Sequence, residues 1–412
     1  MISRRAFLQS TLSSTGLVAW GLTAPQFLKN TAAATPWLGE KGTKDTILVV
    51  VQLTGGNDGL NTVIPFKDPL YAQYRPTLKQ PLNQIAKLSD SLGLHPALKP
   101  LADLYQDKVL CVVQGVGYPN PSQSHFRSMD IWQAGSLADQ LPEGWIGKAM
   151  THIDKAQGFH LAMNNEASPL ALAGAPAKVP SLTSLSEFQI RTFAGSAQDR
   201  MQQKRIIEGA AEMEQASSPQ LLDFVKQTAV STYQSSQRLQ ELAKNYQPKA
   251  TYPVTGLANR LKLAAQLIDA DLGARIFYVT IDGFDTHANQ ADQHANLLRE
   301  VAEAIAAFYK DLAARGQAER TLIMTFSEFG RRAKENGSKG TDHGSAAPMF
   351  LVGGKVKAGI VGEHPRLDKL DDGNLVHHTD FRQVYAAILE SWLGVSSKLV
   401  LGQGFKPVQV LG

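Results

Sequence analysis

Histidines and carboxylates gather in the C-terminal third of this chain: Asp282, Asp285 and His287 in DGFDTH, Asp342 and His343 in GTDHG, and His377 and His378 in HHTD. Six of the ten histidines lie beyond position 280, a clustering that favours a site over chance. Imidazole nitrogen together with carboxylate oxygen suits zinc or manganese, whereas oxygen ligands alone suit magnesium or calcium. Adjacent Asp and His side chains on a bent loop can face two ions about 4 Å apart, the spacing of two-metal hydrolytic sites. A lone histidine is more often a satisfied core or surface residue. In this company the pattern points to a metal-dependent hydrolase.

Three further segments join the candidates. Asp58, in TGGNDGLN, could supply a metal-binding oxygen beside glycines that let the backbone turn tightly, although an isolated Asn-Asp-Gly reads first as an Asx-stabilised turn. In SQSHFRS, Ser124 is the preferred nucleophile, with Ser122 as the alternative and helix capping as the commoner role for such a serine. His125 and Arg127 could contact an anionic group of a substrate, as could Arg331 in SEFGRR. Glu328 could orient a ligand or act as a base.

Elements that would position these residues are legible in the patterning. Short apolar, β-branched runs alternate with amphipathic helical stretches, the mark of a mainly parallel sheet covered on both faces. The expected strands are Thr46 to Leu53, Val109 to Gln114, Arg275 to Ile281, Thr321 to Phe326 and Pro348 to Val352. Most of the candidates fall just after a strand, where open α/β sheets bind ligands. Leu298, Val301, Ile305, Phe308 and Leu312 form one helical stripe; Phe381, Val384, Tyr385, Ile388 and Trp392 form another, with Thr379 as its expected N-cap. Between about 158 and 255 an Ala/Pro-rich stretch gives way to Gln-, Ser- and Lys-rich sequence, read as a helical insertion or cap.

The N-terminus reads as an address. Ser3-Arg4-Arg5-Ala6-Phe7-Leu8 resembles a twin-arginine export signal, a modest apolar run follows, and Ala32-Ala33-Ala34 offers a cleavage site. Residues 1–34 are therefore set apart from the fold, which implies the twin-arginine export machinery as a partner and a periplasmic or exported location. The apolar run is too short for a spanning helix, so no transmembrane anchor is expected after cleavage. Without Arg4, Arg5 and Lys29 the overall +4 becomes +1, with 38 basic against 37 acidic residues. No basic stripe with interleaved aromatics remains, which argues against nucleic acid as a partner. The single cysteine, Cys111, sits in an apolar run and reads as a buried strand residue.

The linked segments TGGNDGLNT, SHFRSMDIWQAG, GWIG, DGFDTHANQ, FSEFGRR, GTDHGSAAPMFLVGG and HHTDFRQVYAAILESWLG resemble the twin-arginine-exported family labelled domain of unknown function 1501. The resemblance implies membership of the alkaline phosphatase and sulfatase superfamily, with a three-layer α/β/α sandwich and two metals at the strand ends. By that resemblance Asp342-His343 matches an adjacent metal-binding pair and His378-Thr379 a late ligand before the final helix. Asp58 would be the first-strand metal carboxylate, Ser124 the nucleophile, and Asp285 with His287 the middle ligands. Two departures stand out. The superfamily spacing Asp-x-x-x-His is absent, leaving Asp282 or Asp285 as the ligand, and Ser124 lies in no familiar nucleophile sequence. Cys111 lacks the C-x-P-x-R context of formylglycine sulfatases.

The combined expectation is an exported hydrolase of phosphate or sulfate esters, acting on an anionic ester that includes envelope polymers among its candidates. Two divalent ions, zinc or manganese with magnesium as the alternative, would be held by Asp58, Asp282 or Asp285, His287, Asp342, His343 and His378. The competing expectation is an exported binding or scaffold protein that keeps the fold and at most a structural metal.

Overall fold

The computed structural model describes residues 45–154, 156–164, 166–176, 179–184, 245–271 and 273–412. The chain divides into two compact units, one comprising Thr43–Ser181, Pro248–Asp269 and Gly273–Gly412, the other Met1–Gly42, Leu182–Gln247 and Ala270–Leu272. Nearly all of the second unit, including the expected export signal at 1–34 and most of the expected insertion at 158–255, lies outside the described residues.

The first unit is built on a mainly parallel sheet. Its strands are β1 (Ile47–Leu53), β2 (Leu110–Gly117), β3 (Gln157–Leu161), β4 (Ala274–Ile281), β5 (Thr321–Phe326), β6 (Ala347–Val352) and β7 (Gly359–Val361), in the order β7-β2-β6-β5-β1-β4-β3. Pairings are parallel except those of β6, which runs against both β2 and β5. Every residue of β1 is buried, as a central parallel strand requires when both faces are covered. Four of the expected strands recur within a residue or so at most ends, and β2 runs on to Gly117. Strand β3 is a difference: Gln157–Leu161 was expected at the edge of an insertion, yet it pairs with β4 in the main sheet.

Alternation along the strands sorts the core into two halves. Val50 lies between Tyr278 and Met324. These share one core with Trp132, Tyr385 and Trp392, carried by helices α2 (His125–Ala134) and α5 (Phe381–Ala387) and the π-helical turn Ile388–Leu393. Val49, between Phe277 and Ile323, faces the other way. That side is closed by α3 (Gly256–Asp269) and α4 (Gln290–Ala313), which pack together, and by α1 (Lys99–Gln106) against α4. The result is a three-layer α/β/α sandwich. Both helical stripes read from the sequence are buried, and Cys111 lies in β2, where burial pushes its thiol up to about 12. The N-cap of α5 is Asp380, not Thr379: Asp380 accepts from the Arg382 amide and forms a capping box with Gln383. Among the described residues no helix is long and apolar enough to cross a membrane.

Two histidines are buried as neutral rings beneath the strand ends. His294 donates from Nε2 to Asn57 Oδ1 at 2.9 Å, and His95 accepts the Ala97 amide on Nδ1 at 3.1 Å. Burial pushes His294 down to about 4 and, with the neighbouring His294, His95 down to about 3. An unfolded histidine titrates near 6.5, so the unfolded chain takes up protons that the fold refuses as pH falls below that value. Stability is therefore expected to drop between about pH 6.5 and pH 4, at ~1.4 kcal/mol per pH unit for each ring. Urea unfolding as a function of pH checks this, and His95→Asn, which retains a capping acceptor, should flatten the slope.

Candidate metal centre

Three connections meet at one edge of the sheet. The first residue of α2, just after the turn from β2, is His125; the loop after β4 supplies Asp285 and His287, and the loop from β5 to β6 opens with Glu328 and Arg331. Residues 340–344 arrive from ahead of β6. Because β6 is antiparallel, its first residue lies at the same edge as the carboxyl ends of its neighbours, which brings His343 to the crevice typical of such sheets.

The rings converge on the Asp285 carboxylate. His343 Nε2 lies 3.2 Å and His287 Nε2 3.0 Å from Asp285 Oδ1, and the two nitrogens are 3.0 Å from each other. His125 Nε2 lies 3.5 Å from Oδ2 of the same carboxylate. Each ring is oriented through its other nitrogen. His343 Nδ1 is 2.8 Å from the carbonyl of Gln123, which can only accept, so Nδ1 carries a proton and, in the neutral ring, Nε2 is the nitrogen left to ligate. His125 Nδ1 is 2.8 Å from Glu328 Oε1, and its Nε2 is buried without a hydrogen-bond partner. His287 Nδ1 faces Asp342 Oδ1 at 3.5 Å. Such outer acceptors are what fix a metal-ligating imidazole. The ligand atoms of His125, Asp285 and His343 lie within 4.8 Å of one another, with His287 adjoining. An orphaned buried nitrogen among imidazoles aimed at one carboxylate fits a divalent ion of the zinc type.

The electrostatics follow from these contacts. The hydrogen bond to Glu328 raises the His125 pKa above its ordinary value, more than burial lowers it. Burial acts to raise the Asp285 carboxyl, but the Arg331 hydrogen bond and charge outweigh it and hold the group below the usual carboxylate range. Asp285 is therefore an anion, ready to ligate.

A family model described as protein of unknown function (DUF1501) matches residues 45–391. The chain belongs to that family. By sequence it matches no curated protein. Among solved structures it is similar to Ps i-CgsB in complex with k-i-k-neocarrahexaose, at 12% identity over 88% of this chain and 75% of that one, with a TM-score of 0.38. It is also similar to the C-terminal periplasmic domain of EcEptC from Escherichia coli in complex with Zn, at 11% identity, 76% and 74% coverage and a TM-score of 0.38. A third is alkaline phosphatase from the Antarctic bacterium TAB5, at 12% identity, 76% and 92% coverage and a TM-score of 0.32.

In this DUF1501 chain several expected site residues lie elsewhere. Asp58, expected as a metal carboxylate, is fully buried, and both its oxygens bind the Arg75 guanidinium at 2.5 and 2.9 Å. Burial acts to raise its pKa, but the Arg75 charge and hydrogen bond outweigh it and lower it. Asp282 is exposed and accepts from its own neighbour, the Gly283 amide; it therefore yields to Asp285 at the cluster. His378 is exposed beside Gly115, with its backbone amide on the Gly115 carbonyl, and is outside the His–Asp group. Asp342 stands behind His287, accepting from Asn336 Nδ2 at 3.0 Å. Arg127, expected to bind substrate, turns to the carbonyls of Leu137, Ala138 and Asp139. Ser124 is the exposed N-cap residue of α2, and its side chain makes no capping bond.

Arg331, also expected to bind substrate, is a buried clamp. Its nitrogens donate to the carbonyls of Gly55, Gly56, Phe284 and Thr341 and to Asp285 Oδ1 at 2.6 Å, and the residue has no exposed surface. Glu328, fully buried, accepts from the Gly55 amide and Ser327 and lies 2.8 Å from His125 Nδ1, which orients that ring. Two glycines permit this convergence. A Cβ at Gly55, whose φ is +118°, would sit on the Asp285 amide, and one at Gly340 on the His287 carbonyl. Residues that sequence reasoning passed over include Arg75, Gln123, Gln290 and Asn336, of which Gln123 stood in the quoted motif SQSHFRS and Gln290 in DGFDTHANQ. Arg331→Met should destabilise the fold by on the order of 3–5 kcal/mol, since it strands buried acceptors as well as Asp285; urea unfolding measures it.

Proposed function

We propose that this chain is an exported metal-dependent hydrolase of anionic esters, phosphate or sulfate, whose ion is held by His125, Asp285 and His343 with His287 alongside. The observation that carries the reading is the aim of the imidazoles: outer partners turn their Nε2 atoms onto one ionised carboxylate. A divalent ion held there supplies Lewis acidity and lowers the pKa of a bound water. The cluster accounts for one such ion, because Asp58 and His378, which a second would have recruited, lie outside it.

The residues of this chain do the rest. Arg331 keeps Asp285 charged, and Glu328 keeps His125 pointed inward. The first turn of α2 follows Ser124, and its N–H groups have no partner within the helix, so they favour an anion at the rim. The exposed Ser124 hydroxyl, beside His125 in the chain, is the preferred nucleophile, with water as the other candidate. Twin-arginine export and cleavage near Ala34 belong to the same reading, supported by Arg4 and Arg5 and the Ala32–Ala34 run. The turn of Arg127 away from the centre favours a second reading, a non-catalytic metal-holding protein.

Zinc or manganese titration of the mature chain should give one tight site per chain, weakened about 100-fold or more in His343→Ala or His125→Ala; unchanged affinity in both would overturn the ligand set. Aryl phosphate monoesters, diesters and aryl sulfates should then be tried with the metal-loaded protein. Turnover that falls steeply in Ser124→Ala supports the serine route, and equal turnover assigns attack to water. Metal-loaded protein that cleaves none of these esters is the result expected of the second reading.

A further inference from the structure

The two ligand loops each carry a threonine close to a ligand residue: Thr286 lies between Asp285 and His287, and Thr341 two residues before His343. Both hydroxyls are buried, and both end on one atom: Thr286 Oγ1 lies 3.0 Å and Thr341 Oγ1 2.6 Å from Gln290 Oε1. The other end of that amide donates from Nε2 to Asp58 Oδ2 at 2.5 Å. A carboxylate accepts only, so Asp58 dictates which way the amide faces and leaves its carbonyl to collect the two hydroxyls. Asp58 is in turn fixed by Arg75, whose remaining donors bind the carbonyls of Arg332 and Ala333, next in the chain to the Arg331 clamp. Backbone bonds run beside these contacts: Thr341 donates to the Thr286 carbonyl and Gln290 to that of Lys339.

We infer that Gln290 is the positioning residue of the metal centre: oriented by the buried Asp58–Arg75 pair, it sets the spacing between the His287 loop and the His343 loop, and so the affinity for the ion. The inference rests on the reading of the cluster as a metal site. It gives Asp58 a role one step removed from the ion. Neither Gln290 nor the two threonines would touch the ion; they act through His287, next to Thr286, and His343, two residues after Thr341. The amide carbonyl accepts from both threonine hydroxyls, one on each loop, and loss of either hydroxyl removes one side of that tie. Supporting partners of this kind are worth roughly ten- to hundred-fold in metal affinity.

The test uses the full mature chain and zinc competed against a chromophoric chelator, with the visible spectrum of the cobalt-substituted protein as a second readout and unfolding in EDTA as the stability control. Gln290→Met, close in shape without the amide, should weaken zinc binding roughly ten- to hundred-fold and alter the cobalt spectrum. The pair Thr286→Val with Thr341→Val, which keeps volume and removes both hydroxyls, should do the same and serves if Gln290→Met fails to fold. Thr286→Ser with Thr341→Ser, which keeps the hydroxyls, should retain wild-type affinity and spectrum. Zinc affinity within two-fold of wild type in the valine pair overturns the inference, as does equal weakening in the serine pair, which would make packing the cause. Wild-type protein that binds no zinc at all overturns the metal centre itself, a different result from wild-type binding with indifferent variants.

Discussion

The centre depends on one buried cation. Arg331 is fully removed from water, and a guanidinium in that position is tolerated only when its donors are met and its charge is balanced. Meeting them draws together the Gly55–Gly56 turn, the Phe284–Asp285 turn and the Thr341 loop, which belong to separate parts of the chain. Balancing the charge falls to Asp285, which stays ionised and sits where the histidines can reach it. The same interaction thus closes the crevice floor and prepares its principal carboxylate. Arginine suits the task because its planar fork serves several acceptors at fixed angles, which a lysine ammonium cannot do.

A second guanidinium works one layer deeper. The Asp58–Arg75 pair has no exposed surface, and such a pair contributes little net stability compared with apolar packing of the same volume. Its value lies in orientation. Asp58 holds Gln290, Arg75 holds the backbone after Arg331, and the neutral His294 and Asn57 fill the space beside them. Two polar layers are therefore stacked under the imidazoles. The outer groups remain open to solvent: the Asp285 side chain is 46% exposed on the side that the clamp leaves free.

The antiparallel strand β6 explains how residues so far apart in sequence share a site. A parallel strand offers its trailing loop to the crevice; β6 offers its leading loop, and with it Asp342 and His343. Gly340 and Gly344 let that loop pass against the His287 carbonyl and the Arg331 backbone without side-chain volume between. The GTDHG segment is thus glycine-flanked for a steric reason, and its histidine is delivered at a distance of 3.0 Å from one that precedes it by 56 residues.

Sequence alone determined the sheet, the two helical stripes and the burial of Cys111, because apolar periodicity reports which face of an element is covered. It also marked Asp285, His287, His343 and Glu328 as chemistry-bearing, since polar residues placed at strand ends have few other reasons to recur. Residue type could not say which partner each would find. Asp58 and Asp285 are equally plausible ligands on paper, and only the fold sends Arg75 to the first and three histidines to the second. Arg127 and Arg331 likewise differ in neither type nor neighbourhood class, yet one reaches exposed carbonyls and the other is sealed beneath the site. Such outcomes rest on side-chain contacts across the chain, 17 positions for Asp58–Arg75 and 276 for Arg331–Gly55, and local pattern carries no record of them. Tertiary structure therefore decided which carboxylate the histidines gather around, which arginine is a clamp, and that His125 belongs to the same cluster as Asp285 and His343.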